Sequence, residues 1–164
     1  MKVSIVEGDF GKEMLLRLKE LEKRSGIKLS RSQKIIIAEI GTVEQVLSIL
    51  LDSPIKVKVK KQVEKAGIIE REVFLAKEGS QDDLIRAVTQ IDTEGLPSNV
   101  INDIKSGKLG IGTIISRYGL ETFRRIVEVG YDSRRKTVYR IYEILYKGQA
   151  KFRIREEFDV RKLR

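Results

Sequence analysis

Glu70-Arg71-Glu72-Val73-Phe74-Leu75 and Ile85-Arg86-Ala87-Val88-Thr89-Gln90-Ile91, joined by residues 76–84, are the two segments around which the sequence is organised. Each sets an arginine into an otherwise apolar, β-prone run. In the first, a period of two puts Arg71 with Val73 and Leu75 on one face and leaves Glu70, Glu72 and Phe74 on the other. Lys77-Glu78-Gly79-Ser80-Gln81-Asp82-Asp83 has turn chemistry, so the second segment is expected to return antiparallel and to bring Arg86 near Arg71. A guanidinium among apolar neighbours either meets an anion or costs several kcal/mol, roughly. The pair therefore reads as one wall of an anion site. The alternative is that one or both pair with Glu72 or Glu70 across the sheet.

Working outward, Ile55, Val57 and Val59 alternate with Lys56, Lys58 and Lys60, which predicts a strand whose lysine-lined face guards an edge. The last third predicts three more strands, at about 121–129, 136–146 and 149–159, with turns at Gly130-Tyr131-Asp132-Ser133 and Lys147-Gly148. In the final strand Glu156 shares a face with Phe152, Ile154 and Phe158. Burial there favours a protonated carboxyl unless a cation or donor offsets it, so Glu156 is the acid–base candidate. A salt bridge to an inward arginine is the competing reading, and the adjacent Glu157 leaves the register open by one position.

Helical periodicity occupies the rest. Met14, Leu15, Leu18 and Leu21 recur at helical spacing over 10–24, and Ser30-Arg31-Ser32-Gln33 has the capping-box form ahead of a second helix. Thr42-Val43-Glu44-Gln45 repeats that pattern before a third helix ending near Asp52. A further helical piece carries Val100, Ile101 and Ile104 and closes at Gly107. Gly110 and Gly112 then flank Ile111, permitting close backbone approach, and Gly112 can open a helix whose free N–H groups favour a carboxylate. The fold class expected is α+β: one domain, with an antiparallel sheet and helices packed over it.

Composition limits the chemistry. The 164 residues suit one domain, and they include neither cysteine nor histidine. Thiolate nucleophiles, disulfides, histidine triads and the familiar histidine or cysteine metal sites are thereby excluded, leaving carboxylates, Lys, Arg, Tyr, Ser and Thr; no metal is expected. The net charge of +9 favours anionic partners, although a 35% charged chain also suits a heat-adapted protein covered in ion pairs. No apolar run approaches the roughly 18 residues of a membrane span and residues 1–9 lack a signal pattern, so a cytoplasmic protein without a membrane partner is expected. The helices flanking Gly41 could pass for a helix-turn-helix, but residues 43–52 offer only Gln45 and Ser48 as readers and carry Glu44 and Asp52; nucleic acid is disfavoured as a partner.

In their order, the Leu29-Ser30 helix with Gly41-Thr42, the Arg71-Glu72 strand, the Arg86 strand, Leu109-Gly110-Ile111-Gly112, Arg124 with Glu128-Val129-Gly130, and Ile154-Arg155-Glu156-Glu157-Phe158 resemble the chorismate pyruvate-lyase-like family. The resemblance covers roughly residues 29–159 and leaves 1–28 as a helical N-terminal extension. It implies helices closing over an antiparallel sheet around an internal ligand cavity. It also implies loss of pyruvate from chorismate, giving 4-hydroxybenzoate without a cofactor. Arg71 would take a carboxylate of the small dicarboxylate substrate, with Arg86 a weaker second; Ile111 and Gly112 would lie against the ligand, and Glu156 would supply acid–base chemistry. The alternative is a non-catalytic sensor of an aromatic carboxylate with the same fold.

Overall fold

A computed structural model describes residues 10–163; the signal-pattern reading of residues 1–9 lies outside them. Helices α1 (Phe10–Ser25), α2 (Arg31–Ala38) and α3 (Val43–Leu51) precede strands β1 (Ile55–Lys65), β2 (Ile68–Lys77) and β3 (Asp83–Asp92). Helices α4 (Ser98–Ser106) and α5 (Ile111–Arg117) follow, then β4 (Thr122–Asp132), β5 (Thr137–Tyr146) and β6 (Gln149–Phe158). The six strands form one antiparallel sheet in the order β1-β2-β3-β6-β5-β4, so the expected α+β architecture is borne out. Among the described residues, no helix is long and apolar enough to cross a membrane.

Strand alternation divides the sheet into a buried face and a solvated one. Ile69, Arg71, Val73 and Leu75 of β2 point inward with Ile85, Ala87, Thr89 and Ile91 of β3 and Phe152, Ile154, Glu156 and Phe158 of β6. The helices cover that face, and Leu18, Ile37, Leu47, Val100 and Ile114 join the same core. Helix α1, which lies within the expected N-terminal extension, packs onto this core. Leu18 and Leu21 of α1 are buried, and Arg17 Nη1 donates to the Ile126 carbonyl of the edge strand β4 at 3.0 Å.

Capping was legible in one place and not in the other. At α2 the Ser30 hydroxyl accepts from Gln33 N at 3.2 Å and the Gln33 side chain accepts from Ser30 N at 2.7 Å, the reciprocal pair expected. At α3, Thr42 makes no side-chain cap. Its side chain instead turns toward α5, with Cγ2 lying 3.1 Å from where a Cβ on Gly112 would stand.

The turn expected at residues 130–133 is also corrected, because β4 runs on to Asp132. Gly130 faces Tyr139 across the β4–β5 ladder, and the tyrosine ring covers the glycine so closely that a Cβ there would meet it at 2.5 Å. Cross-strand cover of this kind lets a glycine remain in a strand. The turn comes three residues later, at 133–136, with Asp132 Oδ1 accepting from the backbone N–H groups of Arg134 and Arg135. Gly130→Ala is expected to displace Tyr139 and lower stability by about 1–3 kcal/mol, read as a fall in denaturation midpoint.

Candidate functional site

Arg71 is the feature from which the site can be built. Its position in β2 turns it inward between Ile69 and Val73, and it is 1% exposed. The register pairs it with Thr89, so it sits mid-sheet, away from the solvent at either strand end. Nη2 donates to the Leu109 carbonyl at 2.5 Å, but among the described residues Nε and Nη1 are buried with no partner and no carboxylate forms a salt bridge with it. Burial alone pushes its pKa down. A buried cation with two idle donors is a poor structural device and a ready receptor for a carboxylate.

Arg86 does not share this position. It pairs with Phe74, an outward residue, and lies on the opposite face of the sheet, where Nε meets Glu72 Oε1 at 3.3 Å and Nη1 meets Glu157 Oε1 at 3.5 Å. The expected arginine pair is therefore split, and for Arg86 the cross-sheet salt bridge is what occurs. The physical reason is parity: antiparallel partners share a face, Arg71 is opposite Thr89, and residue 86 is an odd step away from 89.

Glu156 faces inward beside the same hollow, whereas Glu157 points outward into a cluster with Arg86, Arg135 and Arg155. The inward arginine weighed as its competitor is Arg140 of β5, whose Nε donates to Glu156 Oε2 at 2.7 Å. The Tyr142 hydroxyl donates to Oε1 at 2.9 Å. Burial, and next the charge on Glu156, hold the Tyr142 phenol well above its ordinary pKa, so it remains a donor. Arg140 also donates to the Ile37 and Glu39 carbonyls at the end of α2 and, at 2.6 Å, to the Glu39 carboxylate. Burial lowers the pKa of Arg140, but the neighbouring Glu156, Tyr142 and Glu39 outweigh it and the net shift is upward. Glu156 thus combines a place in the site with a fully bonded ion pair.

The hollow between Arg71 and Glu156 is completed by Thr42, Glu44, Ile111, Gly112 and Arg124, together with apolar side chains of β1–β3, β5 and β6. Of the five residues expected at the site, Arg71, Glu156, Ile111 and Gly112 come together and Arg86 does not. Helix α5 opens at Ile111, one residue earlier than expected, with Gly110 as its N-cap. Two polar groups at the hollow carried no distinguishing signal as site residues. Glu44 stands in the first turn of α3, and Arg124 reaches in from β4 while donating to the Gly41 carbonyl. The pocket measures about 50 Å³, against the roughly 300 Å³ at which ligand pockets begin.

The arrangement offers a buried cation for one anionic group, a second arginine at the rim, an ion-paired carboxylate, and a second carboxyl group, all beside apolar surface. No family model matches the chain. Among curated proteins it is similar to a Methanocaldococcus jannaschii protein named "Putative lyase", with 31% identity over 150 residues, covering 81% of this chain and 80% of that protein. It is also similar to the chorismate pyruvate-lyase of Mycobacterium tuberculosis, with 26% identity over 161 residues and coverage of 80% and 81%. Among solved structures, the effector domain of PhnF from Mycobacterium smegmatis superposes with a TM-score of 0.52 at 9% identity, covering 73% of this chain and 89% of that one. That likeness is one of fold.

Proposed function

We propose a function from one premise: the chain belongs to the family of the lyase-named Methanocaldococcus jannaschii protein. The function is elimination of pyruvate from chorismate to give 4-hydroxybenzoate. The observation that carries it is the buried Arg71 guanidinium, whose Nε and Nη1 have no partner among the described residues, which calls for an anion delivered by a ligand. The name of the Mycobacterium tuberculosis relative supplies the substrate.

Chorismate carries two carboxylates. One would lie on Arg71, accepting from its unpartnered N–H groups, with Ile111 and Gly112 against the ring. The reaction breaks the bond between a ring carbon and the ether oxygen. The neighbouring ring carbon gives up its hydrogen as a proton, and the electron pair left behind completes the aromatic ring. Glu156, held by Arg140 and Tyr142 in one orientation, is the base for that proton. Aromatisation makes the step downhill, and no cofactor is required by its balance.

The test is direct. Purified protein incubated with chorismate is expected to release equimolar pyruvate and 4-hydroxybenzoate. Glu156→Gln should lower turnover by about 10²–10⁴-fold, the range for loss of an acid–base group, with its circular dichroism unchanged. If the folded parent binds 4-hydroxybenzoate and releases no pyruvate, the domain is a sensor of aromatic carboxylates and the lyase reading is wrong.

A further inference from the structure

The elimination just described moves two protons. One leaves the ring, and another must reach the departing enolpyruvyl group before it becomes pyruvate. Glu156 has both oxygens engaged, one by Arg140 and one by Tyr142, so a second group is wanted on the enolpyruvyl side. We propose that Glu44 is the proton donor: its carboxylic acid protonates the methylene carbon of the enolpyruvyl group as the ether bond breaks, while Glu156 takes the ring proton. This rests on the lyase reading.

Three observations carry it. First, Glu44 lines the same pocket as Arg71 and Glu156, yet it arrives from α3 across the hollow from the sheet. The two carboxyl groups therefore reach one pocket from different elements, so that one can serve as acid and the other as base. Second, the backbone at Gly110 is bare beside it. A Cβ there would stand 2.7 Å from Glu44 Oε1 and 3.4 Å from Val57 Cγ2, so the glycine leaves the room that the carboxyl occupies. Third, the Glu44 carboxyl makes no hydrogen bond or salt bridge among the described residues, in contrast to Glu156 with its two partners. One carboxyl group is bonded into an ion pair and the other is left available.

The charged and titratable groups that face Glu44 are Arg124 from β4, Glu156 from β6, and, around the same pocket, Arg71 from β2 and Tyr142 from β5. Burial raises its pKa from the ordinary carboxylate value; Arg124 opposes the rise and Glu156 adds to it. Two carboxyl groups whose surroundings treat them differently can divide the acid and base roles. Atoms and electrons balance: the ring proton goes to Glu156, the Glu44 proton goes to carbon, and exchange with water resets both before the next turnover.

The raised pKa also fixes the sign of a stability effect. Between its ordinary pKa and the raised one, the native state holds a proton that the unfolded chain has lost, so stability falls as pH rises through that window. Glu44→Gln cannot lose a proton there. Its thermal midpoint should gain on the parent as pH increases, which also reports that the variant is folded.

The experiment measures kcat, its pH profile, and 4-hydroxybenzoate affinity for the parent, Glu44→Gln and Glu44→Asp. Glu44→Gln is expected to lose about 10²–10³-fold in kcat, to bind 4-hydroxybenzoate within about threefold of the parent, and to lose the alkaline fall in rate. Glu44→Asp, which keeps a proton but withdraws it by one methylene, should recover part of kcat together with that alkaline limb. A folded Glu44→Gln with parental kcat and an unchanged alkaline limb would refute the donor role while leaving the lyase intact. Equal loss of product affinity and rate would likewise overturn it, in favour of a binding role. No pyruvate from the parent would remove both readings at once.

Discussion

Arg71→Met should make the protein more stable and unable to hold its ligand. The guanidinium is 1% exposed and, among the described residues, has two donors without partners and no counter-ion, so its burial is uncompensated in the free protein. Replacing buried charge by a packed apolar side chain can stabilise by about 1–4 kcal/mol. Part of that, about 1 kcal/mol, is returned because the Leu109 carbonyl loses its donor. In the complex the sign reverses. Removing one member of a buried, hydrogen-bonded charge pair costs about 2–5 kcal/mol of binding, which is roughly 30-fold to several-thousand-fold in Kd. Calorimetric titration with 4-hydroxybenzoate, alongside a thermal melt, reads both. A variant that lost stability and kept its affinity would show that Arg71 is a structural residue.

Arg140→Met should produce the largest loss of stability. Arg140 is as deeply buried as Arg71, but it is fully employed: it pairs with Glu156 at 2.7 Å and Glu39 at 2.6 Å, and it supplies N–H donors to two carbonyls at the end of α2. It also lies over the Tyr142 ring, 4.8 Å from its centroid. Its removal leaves two carboxylates in a dry environment without a cation and frees the helix end from the sheet. Breaking a buried pair in this way costs about 3–5 kcal/mol. Denaturation midpoints for Arg140→Met, Glu156→Gln and the double variant measure the coupling. The double variant should be more stable than Arg140→Met, since it no longer buries an unpaired Glu156. Equal stability of Arg140→Met and the parent would mean that α2 is held by its apolar face, through Ile36 and Ile37.

These two arginines mark where the sequence was readable. Period-two alternation is local, so the inward turn of Arg71 and of Glu156 could be taken from their own strands, and so could the outward turn of Glu157. Arg86 was misplaced because the face of a returning strand depends on the parity of its pairing. The ladder between β2 and β3 shifts register between Leu75 and Ala76, near the turn, and one residue of slip inverts every side chain beyond it. Arg140, Arg124 and Glu44 are a different case. Arg140 meets residues 37 and 39 across about a hundred positions of chain, and Arg124 meets Gly41 across 83. Nothing in their own neighbourhoods marks a contact made at that distance. Thr42 escaped for the opposite reason: its local pattern promised a cap, and packing against α5 took the side chain elsewhere.

The strand order has a consequence for how the site comes into being. Within β1-β2-β3 and within β6-β5-β4 every neighbour is also the next strand in sequence, so each half can close by hairpins alone. Only the β3–β6 ladder joins them, bringing Ala87 opposite Glu156 across more than sixty residues of intervening chain. Arg71 belongs to the first half, and Glu156, Tyr142 and Arg124 belong to the second. Neither half owns a site, and the pocket exists only once that single ladder has zipped. A ligand bridging Arg71 and Glu156 would span this seam and act as a clasp upon it, tying the longest-range junction of the sheet to the occupancy of the pocket.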